Sequence, residues 1–146
     1  MKSWVDTINN QAVSLSNSSA VYTADDAGAS ADLAGYNSCE LEFTVGVSGD
    51  TLSGSVYANL EVQHSDDDST FAAVANADLT TSVTSDNVGT IAKVDAAAED
   101  DAVFRARYIG KKRYVKCVLN LVGTHTNGIP VSSVIRRSAK NNNPVA

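Results

Sequence analysis

Two histidines, two cysteines, a run of three aspartates and a cluster of cations are the side chains here with chemistry to offer. His64 opens the stretch His-Ser-Asp-Asp-Asp, and His125 lies in Gly-Thr-His-Thr-Asn-Gly. Metal sites place their ligands a few residues apart, and neither histidine has a second one at that spacing. A serine or cysteine nucleophile needs a base and an acid to orient it. His125 beside Cys117, or beside a serine, is the nearest approach to such a pair, and nothing in the spacing marks it. Cys39 and Cys117 both fall inside alternating apolar runs. They read as two buried thiols, with a disulfide between neighbouring strands as the alternative.

The run Asp66-Asp67-Asp68 resembles a calcium loop only in charge. An EF-hand loop needs acids at alternate positions, a glycine at the sixth and a glutamate at the twelfth. Here Phe71, Ala72 and Ala73 stand where ligands should continue, so the run reads as a solvated turn. The nine glycines are scattered singly, with no GxGxxG or GxxxxGK[ST] phosphate loop. Paired carboxylates can cleave a glycosidic bond, yet the acids cluster in turn-like segments, and Trp4 is the only tryptophan to stack a sugar. No catalytic residue, metal site or cofactor is expected, and the chain reads as a non-enzyme.

The cations remain. Arg105, Arg107, Lys111, Lys112, Arg113 and Lys116 share one short stretch with Tyr108 and Tyr114, and Arg136, Arg137 and Lys140 lie near the end. Basic residues interleaved with aromatics are one mark of nucleic-acid binding. The whole chain is acidic, however, with a net charge of −6, and repulsion from a phosphate backbone opposes that reading. Charged outer positions also keep a sheet edge soluble. Docking on another protein is therefore read first, a solvated face second and direct nucleic-acid contact last. Lys111, Lys112, Arg113, Arg136 and Arg137 are the candidate protein-interface residues.

The elements that carry these residues show a period of two. In Ser-Cys-Glu-Leu-Glu-Phe-Thr-Val-Gly-Val, Cys39, Leu41, Phe43, Val45 and Val47 alternate with polar or small residues. Successive strand side chains point to opposite faces, so the pattern predicts a strand with one apolar stripe. The same alternation sets Val56, Ala58, Leu60 and Val62 on one face. It pairs Phe104, Ala106 and Tyr108 with Val115, Cys117, Leu119 and Leu121 across a Gly110-Lys111-Lys112 turn. Shorter strands are predicted at Phe71–Ala75 and Thr90–Val94. A last one contains Pro130, which lacks a backbone donor and should begin at an edge or precede its ladder. About eight strands, turn signals between them and no amphipathic helix predict an all-β, single-domain antiparallel β-sandwich. A jelly roll or an immunoglobulin-like topology would each satisfy it.

Composition agrees. Apolar residues make up 43% of the 146-residue chain and charged ones only 19%, enough for one self-sufficient core. Residues 1–92 carry 13 acids and one base, residues 93–146 ten bases and four acids, so a half at −12 precedes a half at +6. The halves either mix on one surface or leave an acidic and a basic face for different neighbours. Residues 1–37 are polar and weakly periodic and read as an extended arm and loop, with one short strand expected near Val13–Leu15 and another near Val21–Tyr22. Residues 38–137 read as the sandwich, and residues 138–146 as a polar tail. The opening MKSWVDTINNQ has no apolar core like that of a signal peptide, and no apolar run is long enough to span a bilayer. Cytoplasmic assembly without a membrane partner is expected.

The stretches LEVQHSDDDSTFAAVANADL and FRARYIGKKRYVKCVLNLVGTHTNGIPVSSVIRR resemble small structural proteins of tailed bacteriophages. The common features are an acidic "SDD…F" turn, an "ADL" element, a "GKKRYV" hairpin and a "PVS" strand. The resemblance spans residues 38–137. It implies a head-decoration or cement protein on the capsid exterior with a jelly-roll fold. Its partners would be the major capsid protein and further copies of itself, as a homo-oligomer of the trimer kind. A tail, neck or connector component is the alternative. A carbohydrate-binding module is a second, with Tyr57, Tyr108 and Tyr114 as its aromatic platform.

Overall fold

The structure, a computed structural model, describes residues 10–80 and 87–140, with side chains to residue 138. Its strands are β1 (Gln11–Leu15), β2 (Ala20–Tyr22), β3 (Asp26–Ala27), β4 (Ala31–Asp32), β5 (Tyr36–Val45), β6 (Tyr57–Ser65), β7 (Ala72–Ala73), β8 (Leu79–Thr80), β9 (Thr90–Val94), β10 (Ala102–Tyr108), β11 (Tyr114–Val122) and β12 (Ile129–Lys140). A 3-10 turn covers Asn76–Asp78, and no helix among the described residues is long and apolar enough to cross a membrane.

The long strands arise where alternation is strict. Leu41, Phe43 and Val45 of β5, Leu60 and Val62 of β6, and Val115, Cys117 and Leu119 of β11 are all buried between two antiparallel sheets. Ile129, Val131 and Ile135 of β12 join them, as do Ala106 and Tyr108 of β10. Each fully buried Leu, Ile or Phe contributes about 1.5–3 kcal/mol relative to an exposed one, which makes this shared stripe the main source of stability. The expected all-β sandwich is the fold of the chain.

One sheet runs β1–β12–β5–β10–β8, with β2 also on β12. The other runs β3–β11–β6–β7, with β4 on β11 and β9 on β6. Pairing is nested from the termini inward. β1 and β2 lie on β12 (Leu15 opposite Val134) and β3 and β4 on β11 (Asp26 opposite Leu119). β5 lies on β10 (Phe43 opposite Phe104) and β6 on β9 (Leu60 opposite Ala92). The chain is one long antiparallel hairpin whose successive pairs fall alternately in the two sheets. It is rolled so that β12 also pairs with β5, and β11 with β6. Pro130 sits in β12, an interior strand, and the ladder to β5 starts one residue later at Val131.

The boundary expected between residues 37 and 38 separates no structural units. Residues 11–32 form the edge of both sheets, and β12 continues through residue 140 into the stretch expected as tail. The reason is hydrogen bonding rather than apolar periodicity. Ser16 N–H donates to Ser133 O at 2.9 Å, and Ser133 N–H donates to Asn17 O at 3.0 Å, so two residues oppose one in a β-bulge. The bulge turns Ser16 toward the other sheet. Its hydroxyl donates to Ala29 O (2.7 Å) and accepts the Cys117 N–H (3.0 Å). The Asn17 amide donates to the Asp26 carboxylate at 2.7 Å. One corner thus stitches both sheets through residues too polar to register as strand.

Candidate docking groove

The hairpin expected here does not form: β10 pairs with β5 and β8 in the first sheet and β11 with β6 in the second, so the residues between them are a turn that crosses from one sheet to the other, held by Tyr108. This tyrosine is buried, yet its hydroxyl accepts the Lys112 N–H at 3.0 Å and meets His64 Nδ1 at 2.9 Å. Gly110 passes over the ring so closely that a Cβ there would lie 2.5 Å from it, so only glycine fits. Ile109 N–H donates to Asp78 O at 2.8 Å, which fastens the β10–β11 turn to the 3-10 turn. The turn that carries Lys111, Lys112 and Arg113 is therefore rigid.

Facing it is the β4–β5 turn. Asp32 accepts from Arg113 twice, Nε to Oδ1 at 3.0 Å and Nη2 to Oδ2 at 2.7 Å, and its Oδ1 also takes the Ala34 N–H at 2.9 Å. The guanidinium and this N–H hold the Asp32 carboxyl down at about 2. Arg137 donates to the Asp32 carbonyl at 2.8 Å and lies over the Tyr36 ring. Between the turns runs an open groove of about 520 Å³. Leu33, Tyr36 and Ile109 give it apolar walls, and Arg107, Lys111 and Lys112 add cationic ones.

The structure brings four of the five expected interface residues to this end. Lys111, Lys112 and Arg113 line the groove, and Arg137 joins them through Asp32 and Tyr36. Arg136 instead lies on the outer face of the first sheet, 3.5 Å from Glu40, beside Glu42, Arg105 and Arg107. The two charge halves meet here: Lys112 pairs with Asp66, Arg113 with Asp32. Among the described residues, Lys111 and Arg107 have no ion pair. The opposite end of the sandwich is acidic. There Asp50 accepts the N–H groups of Asn127 and Gly128, Asp100 that of Ser48, and Asp25 that of Leu121.

The other chemistry-bearing residues serve packing. Cys39 and Cys117 are free and buried, and desolvation pushes both thiols up to about 12, which leaves them protonated and poorly nucleophilic. His125 is buried, with Nε2 3.3 Å from Tyr57 O and 3.2 Å from Val122 O. Asp67 accepts the Ser69 and Thr70 N–H groups and the Ser65 hydroxyl, which hold its carboxyl well below the usual range and shape the acidic turn. Among the described residues no three of His, Cys, Asp and Glu gather as a metal-binding set. Of the expected sugar platform, Tyr108 is buried, Tyr57 lies under Lys93 and Tyr114 under Arg113.

Two features escape sequence reasoning. The apolar wall of Leu33 and Tyr36 lies in the stretch expected as arm. The strand expected near Val13–Leu15 is present as β1, but its place at a sheet edge with Val13 and Leu15 exposed was not expected. A short alternation without charge, Gln-Ala-Val-Ser-Leu, is the only signal of the second. No protein-family model, no curated protein and no solved structure matches this chain.

Proposed function

We propose that this chain is a non-enzymatic structural protein of a bacteriophage virion. It decorates the exterior of the head, docks on the assembled lattice of the major capsid protein through the basic groove, and is assembled in the host cytoplasm. The observation that carries the reading is the groove itself. It is a rigid concave surface with apolar walls and two cations, Lys111 and Arg107, that have no ion pair among the described residues. Such a surface suits a partner segment carrying carboxylates and an apolar side chain.

Two further points support it. The features behind the phage resemblance are neighbours at this end of the molecule. The acidic turn reaches the "GKKRYV" segment through Asp66 and Lys112, and the "ADL" element reaches the start of the same turn through Asp78 and Ile109. The nested strand order, with consecutive pairs alternating between sheets, is what we read as a jelly roll. Fold alone does not assign function, and the groove bears the weight.

The mechanism is mass action. A protein that binds only the expanded lattice stabilises that state, by about 2.7 kcal/mol per site when its concentration is a hundredfold above Kd. The test is charge reversal at the unpaired cations. Arg107→Glu with Lys111→Glu should abolish binding to capsid shells while the melting curve stays unchanged. Undiminished binding by a folded double variant would overturn the docking site.

A further inference from the structure

Sheet edges expose unpaired backbone groups, and proteins normally blunt them with charge, proline, bulges or brevity. Most edges here follow that rule. β3, β4, β7 and β8 are two residues long, and β9 carries Lys93 and faces a bulge at Leu60/Glu61. β1 breaks it. Its five residues, Gln-Ala-Val-Ser-Leu, hold an unbroken register on β12 from Gln11–Ser138 to Leu15–Val134, with no charge, no proline and no glycine.

The direction of its free groups follows from the bulge. Ser16 N–H points at β12, so in the alternating antiparallel pattern Ser14 and Ala12 also turn their backbone groups to β12. Gln11, Val13 and Leu15 then turn theirs outward. Two of these three also carry exposed apolar side chains, Val13 at 56% and Leu15 at 57%, beside Val134 on the same face.

We propose that β1 pairs with β1 of a second copy, antiparallel across a two-fold axis through Val13. Val13 then faces Val13 of the second copy, and Gln11 faces Leu15 at either end, so each outward N–H and C=O meets a partner. A second copy fits better than a charged foreign strand because the edge is uncharged. The two-fold also brings every outward group into register with itself and closes the assembly at two copies. The contact continues the first sheet from one copy into the next and leaves the basic groove open. It does not depend on the docking reading, and it is a two-fold contact where the phage resemblance implies a threefold one.

Sedimentation of the full chain over a range of concentrations tests it. The expected species has twice the 15.2 kDa chain mass. Val13→Lys with Leu15→Lys should give a monomer with an unchanged melting curve, since both side chains are exposed. Val13→Cys should crosslink two copies when two thiols give up their electrons to oxidised glutathione, because opposed Cα atoms in such a pair lie about 5.5 Å apart. Val103→Cys, exposed on the same sheet but away from β1, should not. A wild-type monomer at all concentrations, a trimer, or a dimer that survives the lysine pair would each overturn the proposal. A monomer whose shell binding is lost on Val13→Lys would give the edge to a strand of the partner instead.

Discussion

Arg113, one residue before β11, and Asp32, at the end of β4, are joined by two parallel hydrogen bonds of 3.0 and 2.7 Å. That pair ties the β10–β11 turn on one wall of the groove to the opposite wall. Because the guanidinium lowers the Asp32 pKa to about 2, the carboxylate stays charged well into the acid range. The sign is that of a depressed acid. Its contribution to stability is complete above the ordinary carboxylate pKa and is lost as pH falls through about 2. A carboxyl NMR titration of Asp32 should show this low midpoint, and Arg113→Gln should return it toward 3.8. A normal midpoint in the wild type would show that the groove walls are not tied in solution.

His64 predicts a second pH effect near neutrality. Burial disfavours its charged form and lowers its pKa, with a smaller contribution of the same sign from Lys112, while Asp78 and Asp66 oppose it. The unfolded chain therefore binds a proton near pH 6.5 that the folded chain still refuses. Stability from the neutral ring is full above 6.5 and falls as pH drops toward the folded value. Urea unfolding at pH 7.5 and 5 should show this loss, and His64→Gln should flatten it. An unchanged slope in the variant would assign the effect elsewhere.

The corner at Ser16 and Asn17 should be costly to disturb. The Ser133 hydroxyl, almost fully buried, donates to Asn17 Oδ1 at 2.6 Å and accepts the Asn17 N–H at 2.8 Å. Ser133→Ala leaves both groups unpaired and is expected to cost about 1–3 kcal/mol in equilibrium unfolding. Gly28→Ala places a Cβ 2.4 Å from Ser16 Oγ and 2.6 Å from its carbonyl carbon, and should cost about the same. If both variants unfold like the wild type, the corner does not hold the two sheets together.

These positions show what the sequence could and could not reveal. Leu41, Phe43, Leu60 and Leu119 were legible because alternation over nine or ten residues has few alternatives to a half-buried strand. Ser16 and Asn17, in the bulge after β1, were not, because what orders them is hydrogen bonding to residues far along the chain, Ser16 to Cys117 and Asn17 to Ser133. Composition marks such residues as loop. The groove was half legible: the cations of the β10–β11 turn stand together in sequence, although the strands it joins fall in different sheets and form no hairpin. Its other wall, Leu33 and Tyr36, reaches them only through the pairing of β4 with β11. Adjacency in sequence grouped Arg136 with Arg137, but neighbouring strand residues point to opposite faces and only Arg137 turns toward Asp32.

The most direct test of the proposed function is co-sedimentation of the purified protein with capsid shells that lack it, expanded and unexpanded in parallel. The account predicts saturable binding to expanded shells at hundreds of copies, greater resistance of those shells to heat, and little binding to unexpanded ones. Binding to neither, or a stoichiometry of about a dozen copies confined to one vertex, would contradict a decoration role and move the protein to the neck or tail.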